Sequence, residues 1–391
     1  MTARRARVHS RDLQPLIATP KGLIAAARVQ RFDWPINIPT TEVDELGRKL
    51  HVGTTQELPS VTVTLEAFDV SHNTYSMLTG YTPSTFPASG VSILDFKSVD
   101  VIGHIRDTAT QNVVNALYVK RAAVTGMDLS FGVTANSTAT YTFTSTSKKE
   151  LKQPVRYDSL TISSASGVTL SQTPSFLIRT SGYILDCYSN TEQTYLNEGT
   201  DFTVTGTAVR FTDPTIGDNV WVTYCSATAQ AFAALDNAAP AAISGKYVPL
   251  KISVNNISRV QSATIKAAMA PEQINEMGAL GVPVATEFGT PAVTGDITVL
   301  KTDNDLVNIL TGQAASSVET DISFALNTLP LKIQLLDPRD VTRVVLTYYV
   351  PSIAITTEGD SSSVNQSVQE TFGWQSTTGE LWVASGSGPW A

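Results

Sequence analysis

The sequence predicts a mainly β protein: two tandem β-sandwich or barrel units with short helices, and a small β-sandwich inserted between them. Three observations lead there. Short runs alternate apolar and polar side chains, the front of the chain recurs at its back, and a segment between the two copies repeats nothing. A chain of 391 residues has room for two or three domains at about 100–200 residues each.

The strands come first. Val61-Thr62-Val63-Thr64-Leu65-Glu66, Phe202-Thr203-Val204-Thr205 and Val220-Trp221-Val222-Thr223-Tyr224 alternate with period two. They are rich in β-branched and aromatic residues and are bounded by Gly, Pro, Asn or Asp, which marks strands with one buried face.

Helical signals are few. Pro39–Gly47 has a Thr41-x-x-Asp44 capping pattern and a glycine stop, and Pro271–Gly278 has the same shape; both predict short helices. Asp303-Asn304-Asp305 resembles the start of a calcium loop but lacks the acidic ligands that should follow. It reads instead as the cap of a helical turn holding Leu306, Ile309 and Leu310.

The repeat is the strongest signal. Arg28-Val29-Gln30 returns as Arg259-Val260-Gln261, and Glu45-Leu46-Gly47 as Glu276-Met277-Gly278. Pro59-Ser60-Val61-Thr62 returns as Pro291-Ala292-Val293-Thr294, and Leu78-Thr79-Gly80 as Leu310-Thr311-Gly312. Tyr118-Val119 returns as Tyr349-Val350, Ala123-Val124-Thr125 as Ala354-Ile355-Thr356, and Thr140-Tyr141-x-Phe143 as Thr371-Phe372-x-Trp374. All seven matches keep their order at an offset of 231 or 232, whereas chance matches between β-rich segments would scatter. The alternation recurs too: Val293, Ile297 and Val299 lie opposite Thr294, Asp296 and Thr298, with Gly295 weakening the apolar row. These observations divide the chain into a basic arm (1–13), one unit (14–150), an additional β domain with its connector (151–240) and a second unit (241–391). Ala227–Ala242 reads as a short helix or connector, and Gly199 and Gly217-Asp218 as turns of the inserted sandwich.

Charge is uneven. Residues 1–31 sum to +6, with Arg4, Arg5, Arg7 and Arg11 in the arm, whereas 32–150, 151–245 and 246–391 sum to −4, −4 and −6. The arm is read as a solvated terminus, an organelle-targeting segment, or a strap for the acidic body of a neighbouring copy. A net charge of −8 is the wrong sign for gripping nucleic acid, and no apolar run approaches the roughly 18 residues of a membrane span.

No reaction centre can be assembled. His9, His51, His72 and His104 have no metal-ligand spacing, and P-loop, dinucleotide and nucleophile-elbow motifs are absent. Cys187 and Cys225 are read as buried thiols, the sequons at Asn136, Asn256 and Asn365 carry no meaning without export, and the five tryptophans are dispersed. The expectation is a non-enzyme without metal or cofactor.

The order R-V-Q, Pro, E-L-G, a gap, P-x-V-T and L-T-G resembles the tail tube proteins of tailed bacteriophages, over about 290 of the 391 residues. The resemblance implies a virion protein, assembled in the host cytoplasm, that forms stacked rings of six tube folds. With two folds per chain the ring would be a pseudo-hexameric homotrimer. It further implies contacts with a tape measure protein and with tail initiator and terminator proteins, and passage of double-stranded DNA without specific binding. The segments Arg48–Leu58 and Ala279–Thr290, with Arg48, Lys49, His51, Glu57 and Glu287, would be the loops reaching between subunits or rings. Thr62, Thr64 and Glu66, with Thr294, Asp296 and Thr298, would line a weakly acidic lumen that repels phosphate; otherwise these faces meet solvent or another subunit. The alternatives are a tail terminator, distal tail or baseplate hub protein, or a tandem β-sandwich adhesin.

Overall fold

A computed structural model describes residues 12–390 apart from 20–21, 27, 44–52, 57, 69–71, 82–85, 108–109, 111, 163–166, 178–181, 193, 213–218, 231–241, 254, 275–284, 302–304, 312–327 and 364–366. The front of the chain forms β1 (Leu13–Thr19), β2 (Gly22–Ala25), β3 (Val29–Asp33), β4 (Ile36–Asn37), β5 (Thr40–Val43), β6 (Gly53–Gln56) and β7 (Ser60–Ala67). Helix α1 (Asn73–Thr79) follows, then β8 (Val91–Ser92), β9 (Val99–Arg106), β10 (Val113–Gly132), β11 (Thr138–Ser145) and β12 (Lys148–Leu151). The middle forms β13 (Val155–Thr161), β14 (Val168–Thr169), β15 (Ile184–Ser189), β16 (Thr194–Tyr195), β17 (Phe202–Thr205), β18 (Ala208–Phe211) and β19 (Asn219–Cys225). The back forms β20 (Leu250–Ile252), β21 (Asn255–Ile257), β22 (Val260–Ala268), β23 (Pro271–Ile274), β24 (Ala285–Phe288) and β25 (Ala292–Leu300). It continues with α2 (Asp305–Thr311), β26 (Leu329–Asp337), β27 (Asp340–Ser361), β28 (Gln369–Ser376) and β29 (Trp382–Ser385). The protein is mainly β, as its alternation predicts.

Front and back share one ladder plan. In the front, β3 pairs with β7, β7 with β11, and β11 with the second half of β10. In the back, β22 pairs with β25, β25 with β28, and β28 with the second half of β27. Even the irregularities recur: bulges lie between Val29 and Arg31 and between Val260 and Ser262, and again between Val124 and Gly126 and between Ile355 and Thr357. Arg28 and Arg259 are both left-handed, at φ 53° and 61°. In each copy the glutamine two residues on donates to that arginine's carbonyl. The same left-handed backbone, which costs an L-residue energy, thus recurs at equivalent positions of the two copies.

The two copies are fused through their sheets. Gly126–Gly132 of β10 pairs antiparallel with Ala268–Ser262 of β22, so one sheet runs β3/β4–β7–β11–β10–β22–β25–β28–β27. The first halves of β10 and β27 leave this sheet for a second layer: β2–β1–β9–β10–β12 in the front, β21–β20–β26–β27–β29 in the back. The linked strands form one barrel-like body around a single core. Val61, Leu65, Tyr141, Phe143 and Met127 from the front meet Ile265, Ile297, Trp374 and Tyr348 from the back, with α1 and α2 contributing Leu78 and Leu310. The Tyr75 hydroxyl of α1 donates to that of Tyr348 at 3.2 Å.

Packing explains Gly295. It faces Trp374 across the ladder where the front copy has Val63 facing Phe143. A Cβ on Gly295 would run into the Thr264 carbonyl and the Trp374 indole, so the larger ring of the back copy is accommodated by the missing side chain.

The middle domain is a sandwich of sheets β13–β19–β15–β16 and β14–β18–β17 around Phe202, Val209, Val222 and Tyr224. It docks on the outer face of the front second layer, where Leu16, Ile102 and Tyr118 meet Val155, Leu185 and Trp221. On the back copy the corresponding place is taken by Trp390, stacked on Tyr349 at 4.6 Å, with its carbonyl held by Lys332 Nζ at 2.9 Å. Cys187 and Cys225 are buried free thiols.

Two sequence expectations are corrected. The helices expected over 39–47 and 271–278 are strands where described: Thr40–Val43 pairs with Gly53–Gln56, and Pro271–Ile274 with Ala285–Phe288. Each pairing gives the backbone a ladder partner that outweighs a local capping pattern. The remainder of both segments lies outside the described residues, as do residues 231–241 of the proposed connector and Gly217-Asp218; residues 227–230 are not helical. The helical turn expected after Asp303 is α2.

Candidate assembly surface

The alternation in β7 and β25 sends one row of side chains into the core and leaves the other on the opposite face of the shared sheet. Thr62, Thr64, Glu66, Thr294, Asp296 and Thr298 all occupy that second face, Asp296 exposed and the others partly so. Cross-strand register adds Arg31 beside Glu66, Thr140 beside Glu66 and Asp128, Thr142 beside Thr64, Lys266 beside Asp128, and Thr371 beside Thr298. Short polar contacts tie the rows together: Asp296 N donates to Thr264 Oγ1 at 3.1 Å, and the Thr298 and Thr371 hydroxyls lie 3.1 Å apart. The face is threonine-rich, and its charged residues Arg31, Asp33, Glu66, Asp128, Lys266 and Asp296 leave it weakly acidic, with Arg31 ion-paired to Asp33. The middle domain sits beyond the second layer, on the side away from this face.

The sheet ends in two edges whose outer sides have no ladder partner among the described residues. One is β3/β4, where Phe32 and Trp34 pack with ring centroids 4.9 Å apart and Ile36 is exposed. The other is the second half of β27. Behind that edge, Lys301 Nζ binds Asp360 at 2.7 Å and Glu370 at 3.2 Å. The hydrogen bond with Asp360 raises the Lys301 ammonium, and burial raises the Glu370 carboxyl. Sequence reasoning missed these edges; the alternation of Phe32, Trp34, Ile36 and Ile38 is the signal that could have found one of them.

A second polar cluster clamps the middle domain. A bulge between Val119 and Ala122 places Lys120 and left-handed Arg121 (φ 48°) against the buried Asp186 carboxylate, at 3.0 and 2.9 Å. The Arg121 guanidinium also lies 3.5 Å from the Tyr195 ring centroid. Asp100 accepts from the Tyr118 hydroxyl at 2.6 Å and from Arg121 N at 2.8 Å. Burial, then the Asp186 charge, pushes its carboxyl up to about 7. His104 Nε2 accepts from Val155 N at 3.1 Å; burial, then Arg106, holds its imidazole down at about 4.

Arg4, Arg5, Arg7, Arg11, Arg48, Lys49, His51 and Glu57 lie outside the described residues. Glu287 is in β24, opposite Glu272, in a ribbon outside the main ladder. Among the described residues no group of three His, Cys, Asp or Glu side chains is placed to hold a metal ion, and no helix is long and apolar enough to cross a membrane. No protein-family model and no curated protein matches the chain.

Proposed function

We propose that the chain is a structural protein that assembles into stacked rings, as in the tail tube of a tailed bacteriophage, and forms a conduit for double-stranded DNA. One observation carries the reading: β10 and β22 join the two copies strand to strand into one sheet, which has a polar threonine-rich face and, at β3/β4 and the second half of β27, outer sides without a ladder partner among the described residues. Three chains closing edge to edge give six equivalent folds about one axis, and closure removes edges that would otherwise invite indiscriminate pairing. With the polar face inward, the slight excess of acid repels DNA phosphates, and the cations Arg31 and Lys266 sit beside acids, Arg31 paired with Asp33 and Lys266 opposite Asp128. The middle domain then lies on the outside. The tape measure protein would occupy the bore before DNA, and initiator and terminator proteins would meet the two ends of the stack. The ribbons β5–β6 and β23–β24 are the proposed contacts between subunits or rings.

Negative-stain images of concentrated protein test the reading: rods of stacked rings with a central hole and three chains per ring are expected, and solid or open ribbons would overturn it. Lysine at Thr62 and Thr294 gives the lumen assignment its own test. The double variant should assemble normally yet deliver DNA poorly, and normal infectivity would remove that assignment.

A further inference from the structure

The junction inside the chain supplies the geometry for a junction between chains. At a shift of 231 residues, Thr357–Ser361 of β27 corresponds to Gly126–Ser130 of β10, and Asp33–Asn37 corresponds to Thr264–Ala268 of β22. Building on the ring reading, we infer that Thr357–Ser361 of one copy pairs antiparallel with Asp33–Asn37 of the next in a single register. Thr357 stands opposite Asn37, Glu358 opposite Ile36, Gly359 opposite Pro35, Asp360 opposite Trp34, and Ser361 opposite Asp33. The in-chain ladder fixes this choice, with Gly126 opposite Ala268 and Ser130 opposite Thr264.

The edges suit that register. Phe32, Trp34 and Ile36 form the core-side row of the β3/β4 edge, matching Ala263, Ile265 and Ala267. Ala267 is 2% exposed beneath the in-chain junction, whereas Ile36 is 41% exposed. Proline in the middle of an edge ordinarily removes a ladder donor. Here the Pro35 carbonyl accepts from Thr62 N, and a residue in an antiparallel ladder directs its N–H and C=O to the same side. The missing donor therefore faces β7, and the outer edge keeps its pairing groups. Asp360, already paired with Lys301, stands opposite Trp34, whose carbonyl accepts from Lys148 Nζ at 3.2 Å and keeps a second lone pair for a ladder bond.

Cysteine cross-linking in the full chain tests the register. Directly opposed residues sit about 4.5–5.5 Å apart and diagonal ones about 7–8 Å, at the limit of disulfide reach. Under mild oxidation, Thr357→Cys with Asn37→Cys should give at least ten-fold more intermolecular disulfide than Gly359→Cys with Asn37→Cys. The product should run as a closed three-chain species that reductant releases. Buried Cys187 and Cys225 set the background, measured in the unaltered chain. Rings in stain images together with stronger linking of the displaced pair would overturn the register and leave the ring reading standing. Rings without linking in either pair would overturn strand pairing between copies. Neither rings nor links would overturn both.

Discussion

Asp186→Asn tests whether the middle domain is rigidly fastened to the body. The Asp186 carboxylate has no exposed surface and neutralises two cations that are themselves largely covered, Lys120 at 16% and Arg121 at 12% side-chain exposure. The isosteric amide keeps the shape and removes the charge. Breaking a buried pair from one side typically costs about 3–5 kcal/mol because the remaining charge is stranded. Asp100 moderates that loss. Its carboxyl is held up partly by Asp186, so in the variant it ionises at lower pH and becomes the replacement counter-ion. The expected destabilisation is about 3 kcal/mol at pH 5 and visibly less at pH 8, read from denaturant unfolding. Native-state hydrogen exchange should show the loss concentrated in β13, β15 and β19. A loss below about 1 kcal/mol at both pH values would refute the clamp and leave the fastening to the apolar contacts around Trp221 and the Val155–His104 hydrogen bond.

Asp100 and His104 should pull the stability profile in opposite directions. The raised Asp100 contributes fully below its ordinary 3.8 and loses that contribution as pH rises through about 7. The depressed His104 contributes fully above its ordinary 6.5 and loses it as pH falls through about 4. Between pH 4 and 6.5 the two slopes oppose each other, so Asp100→Asn should shift the profile toward a gain in stability with pH and His104→Gln toward a decline; an unchanged slope in either variant contradicts the assignment. Gly295→Val alone should cost about 2–3 kcal/mol by overpacking, and Trp374→Phe should recover only the share due to the ring, about 0.5–1 kcal/mol in a double-mutant cycle, because the Thr264 carbonyl still meets the new Cβ. Arg259→Gly should leave melting temperature unchanged or raised, since glycine relieves a left-handed backbone worth about 1–2 kcal/mol; a clear drop would mean the arginine side chain does more than occupy the turn.

The sequence made the duplication and its strands readable because both are local: period-two alternation marks β7 and β25, and the Leu-Thr-Gly endings coincide with the ends of α1 and α2. The two expected helices failed because their capping patterns were also local, whereas the hairpin partners of Thr40–Val43 and Pro271–Ile274 lie ten or more residues away. Nothing nearby in the chain reveals that β10 and β27 change layers halfway, since a long apolar run fits one sheet as well as two. Nor does the sequence announce the β10–β22 junction, which joins residues more than a hundred positions apart. The clamp was hidden for a related reason. Asp100 and Asp186 look like surface acids until the docking of the middle domain buries them.

The common interior has an evolutionary reading. Once two copies are covalently linked and pack into each other, neither must remain a duplicate of its sibling. Gly295 with Trp374 records one such drift, and the extra sandwich borne by a single sibling records another. A closed circle of linked pairs would display ornaments at every other station, leaving open ground between them where a circle of identical singles would be crowded.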